Sequence, residues 1–266
     1  MHNILILQTV DSTNRVAREM ADSGTPHGFA FLAENQTAGR GRLGKTWLSP
    51  PGKGLYCTIL VRPELDIQEY SRITLTAGLA VSLILEEFCR LDVQLKWPND
   101  IYIAGRKCGG ILVETSSLQN SPDACFALVG IGLNVNGMID EFPEELRKTA
   151  TSLFAESAKE YDIFSLFLAI RDRLLHLVSQ LVAEGFEEIL EQWQKRDMLS
   201  GKWMSWVTPG GSVVYGKSLG VDNKGVLLIQ DSSGKRHEVL SGDLSLAERP
   251  PERGEKAEKT ESFKDS

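Results

Sequence analysis

The sequence predicts an α+β protein, a mixed central β-sheet with packed helices followed by a small C-terminal β-barrel. Three observations lead there. Up to about Ala150 short apolar runs alternate with a few helical segments. Two long amphipathic stretches carry helix caps, and near Ser200 the texture changes to short strands separated by glycine-rich turns.

The elements follow in order. "NILIL" opens as a strand, and "DSTNRVAREMADSG" sets cap residues ahead of a helical pattern that ends at Gly24. "GFAFLAENQ" and "GLYCTILVR" read as the second and third strands. "SRITLTAGLAVSLILEEFCR" is apolar on most of its circumference, as a helix pressed on a sheet must be, with Ser71 as the expected cap. "VQLKWPNDIYIAGRKCGGILVET" and "ACFALVGIGLNVN" read as successive strands with a turn at Ala104 to Arg106. "DIFSLFLAIRDRLLHLVSQLVAEG" is a second amphipathic helix, capped by Asp162 and stopped at Gly185, and "FEEILEQWQKR" continues helically. After Ser200, Pro-Gly-Gly, Asp-Asn-Lys-Gly and Ser-Ser-Gly turns divide a barrel of about five strands. The last stretch, "ERPPERGEKAEKTESFKDS", is charged and nearly free of apolar residues, which predicts disorder.

The chain has 266 residues, 42% hydrophobic and 24% charged, enough to bury a core in one large domain or a large and a small one. No apolar run reaches the ~18 residues of a membrane span, and "MHNILILQTV" is too short for a secretory signal. A cytoplasmic protein that does not enter a membrane is expected. Cys57, Cys89, Cys108 and Cys125 form no C-x-x-C pair and the four histidines do not cluster, so neither a disulfide framework nor a structural zinc site is suggested. The net charge of −7 argues against a protein whose main work is wrapping nucleic acid.

"GRGRLGKTW", Gly39 to Trp47, fits the phosphate-loop pattern G-x-x-x-x-G-K-[ST] letter for letter. A phosphate loop works because its turn feeds a helix, and the next residues, "WLSPPGKG", cannot form one. What remains is a glycine-rich segment whose backbone can approach an anion closely. Arg40 and Arg42 can pair with carboxylate or phosphate oxygens, and Trp47 offers a face for a flat ring. A solvated basic loop with Trp47 plugged into the core fits this stretch equally well.

Three other segments tilt the balance. "DSTN" puts the hydroxyls of Ser12 and Thr13 and the amide of Asn14 at a strand end, where they also suit a helix cap. In "KWPNDIYIAGRKCGGILVE" a tight turn brings Asp100 at the end of one strand near Lys107 at the start of the next, as a functional pair or a surface salt bridge. "GIGLNVN" lacks the third glycine of a dinucleotide fingerprint. Its small residues suit a strand that passes a ligand, with Asn134 reaching a polar edge.

Together, in this order and spacing, "DSTN", Q-T-A-G-R-G-R-L-G-K-T-W from Gln36, "KWPNDIY", K-C-G-G-I-L-V-E from Lys107 and "GIGLNVN" resemble biotin protein ligases, over about Met1 to Ala247. The resemblance implies a class II aminoacyl-tRNA synthetase/biotin ligase-like catalytic domain at 1–199, an SH3-like domain at 200–248 and a disordered tail at 249–266. It implies ATP and biotin as substrates, with Mg2+, and a biotin carboxyl carrier protein of acetyl-CoA carboxylase or another biotin-dependent carboxylase as partner. Biotin's carboxylate attacks the α-phosphate of ATP, and a carrier lysine then takes the acyl group from biotinyl-5'-AMP.

The same resemblance assigns roles. Ser12, Thr13 and Gln36 address the biotin urea, and the wider biotin set adds Asn14, Arg40, Gly41, Arg42 and Lys107. Ile111 and Val113 are candidates for the apolar sleeve. Arg42, Lys45, Trp47 and Asn134 contact the nucleotide, with Trp47 stacking on adenine. The catalytic set is Lys107, Arg40 and Asp100, where Asp100 accepts a proton from the incoming lysine or orients it. The glycine-rich loop becomes a lid over the adenylate.

Only ten residues precede "DSTN", so the expectation is the monofunctional type, a ligase without a DNA-binding domain. The family's loop often has arginine where Lys45 stands, and lysine lacks the planar fork. A lipoate or octanoate ligase would need a longer apolar channel, and a non-catalytic adaptor would hold biotin or its adenylate without labelling an acceptor. An exposed sheet edge could support a homodimer, though nothing in the sequence requires one.

Overall fold

The computed structural model describes residues 3–116, 125–208, 212–239 and 243–246. Two compact units appear, one of residues 1–198 with 223–225 and one of 199–222 with 226 onward. The predicted disordered tail lies outside the described residues.

The first unit is built on seven strands in the order β1-β2-β3-β7-β6-β5-β4, namely β1 Ile4–Val10, β2 Ala30–Gln36, β3 Gly54–Val61, β4 Val93–Lys96, β5 Asp100–Ile103, β6 Arg106–Ser116 and β7 Phe126–Asn134. Only β1 and β2 run parallel, because helix α1, Thr13–Asp22, carries the chain back between them. All other neighbours in this sheet are antiparallel. Helices α2 Ser71–Cys89, α4 Ile163–Glu184 and α5 Glu187–Gln194 follow the predicted amphipathic stretches, and a short α3, Leu153–Ser157, was not signalled by the sequence.

The two faces of this sheet differ. One buries Leu55, Cys57, Ile59, Val61, Ile131 and Leu133, and Ile111 on this face reaches Gly78 of α2. On the other face α1 lays Ala17 and Ala21 against Phe31, Leu60, Phe126 and Leu128. The face below the start of α1 is polar or bare, with Thr58, Gly130, Gly132 and Gly110 in adjacent register positions.

Three expectations are corrected. Ser71 does not cap α2, since a 3-10 turn at Ile67–Tyr70 runs straight into the helix and Tyr70 takes the N-cap position. The capping work is done earlier, by the Asp66 and Glu69 capping box. Second, "VQLKWPNDIYI" is two strands, because the chain reverses at Trp97–Asn99, so Asp100 opens β5 instead of closing a longer strand. The turn after β5 falls where expected, with Ala104 at φ 50° and Gly105 at φ 74°.

The third concerns the second unit. Its strands β8 Trp203–Val207, β9 Val213–Val221, β10 Leu227–Asp231, β11 Arg236–Val239 and β12 Asp243–Leu246 form an antiparallel SH3-like sheet in the order β11-β10-β9-β8-β12. Among the described residues the four-residue strands β11 and β12 are spent on β10 and β8, so the predicted barrel is not closed. Asp231 ties the last hairpin by accepting from the backbone of Ser233 and Lys235, and the His237 and Ser233 side chains hold its carboxyl well below the usual range.

All four cysteines are free, and burial pushes the Cys57 and Cys108 thiols far up, which leaves them protonated and unreactive. Among the described residues no helix is long and apolar enough to cross a membrane.

Candidate active site

Helix α1 begins at the sheet, so its first residues are pressed into the polar part of the face. Ser12 sits at the N-cap, buried, but its side chain caps nothing. Thr13 and Asn14 are buried as well, and each is committed to a network. The Thr13 N–H donates to Gln36 Oε1 at 2.8 Å, and Gln36 Nε2 donates to Ser49 Oγ at 3.0 Å. Thr58 Oγ1 lies 2.8 Å from Thr13 Oγ1 and donates to Asn14 Oδ1 at 2.5 Å. These groups fix one another's orientation, which preorganises donors and acceptors for a polar ligand head.

Two glycines in β7 make room for this arrangement. A Cβ at Gly130 would collide with Asn14 Oδ1. At Gly132 it would lie 2.6 Å from Cε2 and Nε1 of Trp47, whose ring rests on the strand. The Trp47 Nε1–H is buried there with no hydrogen-bond partner among the described residues, a donor left for a ligand or water.

The loop from Gly39 to Trp47 is a small hairpin. Its ends are held by Trp47 N–H to Gly39 O at 2.9 Å and Gly41 N–H to Lys45 O at 2.6 Å. At the tip Leu43 takes a left-handed φ of 56° and is 63% exposed, a strained and solvated conformation. No helix follows Thr46, so the phosphate-loop reading fails structurally as it does in sequence. Arg40 reaches Glu114 Oε2 at 3.0 Å, Arg42 donates to Asn99 Oδ1 at 3.3 Å, and Lys45 is exposed. A cavity of about 350 Å³ lies between this hairpin and β6, and its lining includes Arg40, Arg42, Lys45, Thr74, Glu114 and the apolar Ile111, Leu112 and Val113.

Lys107 and Asp100 meet as expected, Nζ to Oδ1 at 2.7 Å, and the Lys107 ammonium lies 5.7 Å from the centre of the Trp47 ring. Their meeting depends on a bulge. Tyr102 pairs with Lys107 but Ile101 pairs with Gly109, so Cys108 is an extra residue in β6. The bulge turns Lys107 onto the face of Gly110, where a Cβ would lie 3.6 Å from Lys107 Cε and 3.7 Å from Asp100 Oδ1.

The bulge also sets which residues share the face of Lys107. Beyond it Gly110, Leu112 and Glu114 lie on that face, and Ile111 and Val113, the candidates for the apolar sleeve, lie on the opposite one. Ile111, Leu112 and Val113 all line the cavity beside the hairpin, and Ile111 also reaches Gly78 of α2 in the core. Asn134 stands on the site face two positions beyond Gly132, but its amide donates to Thr151 O at 2.9 Å. Thr58, Ser49, Asn99 and Glu114 take part without having been singled out. A buried threonine in the otherwise apolar run "GLYCTILVR" was a readable signal for the first.

A mixed sheet that carries a cation-rich hairpin over a glycine floor, with an SH3-like sheet behind it in sequence, defines a cofactor-attaching ligase. Residues 6–134 match the Biotin/lipoate A/B protein ligase family, and residues 207–246 match the Biotin protein ligase C terminal domain. The chain is similar to the bifunctional ligase/repressor BirA of Bacillus spizizenii, at 33% identity over 92% of this chain and 74% of that protein. It is also similar to the biotin–[acetyl-CoA-carboxylase] ligase of Paracoccus denitrificans, at 30% identity over 87% of this chain and 95% of that protein. Among solved structures it resembles the biotin protein ligase from Aquifex aeolicus in complex with biotin and ATP, with a TM-score of 0.79, 33% identity, and coverage of 93% of this chain and 99% of that one. The chain belongs to the biotin protein ligase family, and it is a ligase.

Proposed function

We propose that this enzyme joins biotin to ATP, giving biotinyl-5'-AMP and pyrophosphate, and then passes the biotinyl group to a lysine of a biotin carboxyl carrier domain, forming an amide and releasing AMP. The observation that carries the reading is a neutral polar cluster, Thr13 with Gln36, on the same sheet face as Lys107 at Gly110, beside a cavity lined by Arg40, Arg42 and Lys45. Biotin has a neutral urea head and an anionic tail, and this site offers each its complement.

Thr13 and Gln36, with Ser12 beside them, face the urea, Ile111, Leu112 and Val113 line the apolar part, and Lys107 meets the carboxylate. Attack of a carboxylate on a triphosphate brings like charges together. Lys107, Arg40 and Arg42 offset that repulsion and the charge that develops on the α-phosphate. Asp100, paired to Lys107, holds the ammonium in place before substrate arrives, then lies where the incoming lysine of the carrier must deliver its amine. Trp47 stacks on adenine once the ring lifts from Gly132, and Asn134 contacts the nucleotide when it exchanges its bond to Thr151. The hairpin closes over the adenylate and keeps water from it. Mg2+ bound with ATP would supply further positive charge against the triphosphate, beside Lys107, Arg40 and Arg42.

The proposed organisation is a catalytic domain at 1–199 and an SH3-like domain at 200–248. The free thiols and the carrier substrate favour the cytoplasm, and the net charge of −7 favours a role without DNA. Strand β1 is a sheet edge with Ile6 exposed, a surface for a homodimer.

The test is ATP- and magnesium-dependent transfer of biotin to a purified carrier domain, with lipoate as competitor. Labelling by biotin that lipoate does not suppress is the expected result. Adenylate that forms without labelling an acceptor, or preferred transfer of lipoate, overturns it.

A further inference from the structure

Glu114 has no role in the scheme above, yet it stands at its centre. It lies on the site face of β6, four residues beyond Gly110, and its side chain is only 24% exposed. One oxygen, Oε2, accepts from Asn14 Nδ2 at 2.8 Å and from Arg40 Nη2 at 3.0 Å. Asn14 continues through Thr58 to Thr13, and Thr13 to Gln36. A carboxylate therefore joins the hairpin's first arginine to the polar cluster at the start of α1.

The bond to Glu114 occupies one of the five N–H donors of the Arg40 guanidinium, and the Arg40 side chain is 47% exposed. Among the described residues the guanidinium makes no other hydrogen bond, which leaves donors for an anion. An arginine held at one nitrogen and open at the others loses less freedom when it takes up a phosphate or carboxylate. A Gln at 114 would keep the shape and an acceptor for Asn14 but lose the charge that holds the guanidinium.

We propose that Glu114 is a positioning residue for adenylate formation, acting through Arg40 and coupling its placement to the polar cluster that receives the neutral head of the substrate. The inference rests on the functional reading above. It implies that adenylation depends on Glu114 more than transfer to the carrier does, because the second step begins with the phosphate already bound.

The experiment measures both half-reactions with the full chain in the wild type, Glu114→Gln, Arg40→Ala and the double variant, with thermal melts of each. Glu114→Gln should lower kcat/KM for adenylate formation about tenfold, while transfer from supplied biotinyl-5'-AMP changes less than about twofold. In the double variant the Gln should add nothing to the loss from Arg40→Ala. Normal adenylation in Glu114→Gln, or losses that multiply in the double variant, overturn the inference while wild-type activity leaves the functional reading standing. A loss that tracks unfolded protein in the melts also overturns it, since Glu114 would then be structural only. Wild-type protein that makes no adenylate overturns both.

Discussion

The two faces of the seven-stranded sheet share their strands and differ in nearly everything else. In β7, Val129, Ile131 and Leu133 point to the packed face, while Gly130, Gly132 and Asn134 point to the site. One face is filled by aliphatic side chains, and the other is kept clear by glycines so that Asn14 and Trp47 can lie directly on the backbone. A period of two thus lets neighbouring residues of one strand carry stability and chemistry separately.

That separation can be broken by substitution. The largest effect is expected at Lys107. Lys107→Ala should slow adenylate formation by about 10²- to 10³-fold, read by single-turnover release of pyrophosphate, with the melting temperature almost unchanged because its ion pair is partly solvated. Next, Gly132→Val forces Trp47 off the floor and should lower kcat/KM about tenfold or more, with circular dichroism close to wild type. Its neighbour Ile131→Ala should do the reverse, costing about 2–5 kcal/mol in urea unfolding while activity per folded molecule stays near normal. If Ile131→Ala damages catalysis and Gly132→Val damages only stability, the division of labour between the faces is wrong.

The smallest effect lies off both faces. Partial desolvation, with Arg171 and Arg62 nearby, lowers the pKa of His27, whose Nδ1 accepts from the Arg62 N–H. The folded state therefore prefers the neutral ring, so its contribution to stability is full above the ordinary pKa of about 6.5 and declines as the pH falls below it. Melting curves from pH 7.5 to 5 should show a slight decline that His27→Gln flattens, with adenylation unaffected by that variant.

Much of this was legible in the sequence, and the reasons are local. Helix caps such as Asp162, which accepts from the Ser165 N–H, and stops such as Gly185 act within a few residues. The two-residue turn that brings Asp100 toward Lys107 was readable too, but not the bulge on which their contact depends. What escaped notice depends on register or on the third dimension. A single inserted residue, Cys108, brings Leu112 and Glu114 onto the face of Lys107. Ser71 lost its capping role to a turn whose hydrogen bonds already serve the helix start. Glu114 stood inside a quoted motif but showed its importance only when Arg40 and Asn14, 74 and 100 residues away, were seen on one oxygen.

The position of Trp47 has an optical consequence. The chain holds five tryptophans, and Trp47 is the one whose indole rests on the glycine floor with its N–H unpaired. Any ligand that reaches Gly132 must move this ring or cover it, whereas Trp193 is sealed in the core. The enzyme therefore carries its own fluorophore at the point of occupancy. The difference in emission between wild type and Trp47→Phe isolates a signal by which filling and emptying of the site can be followed without a label.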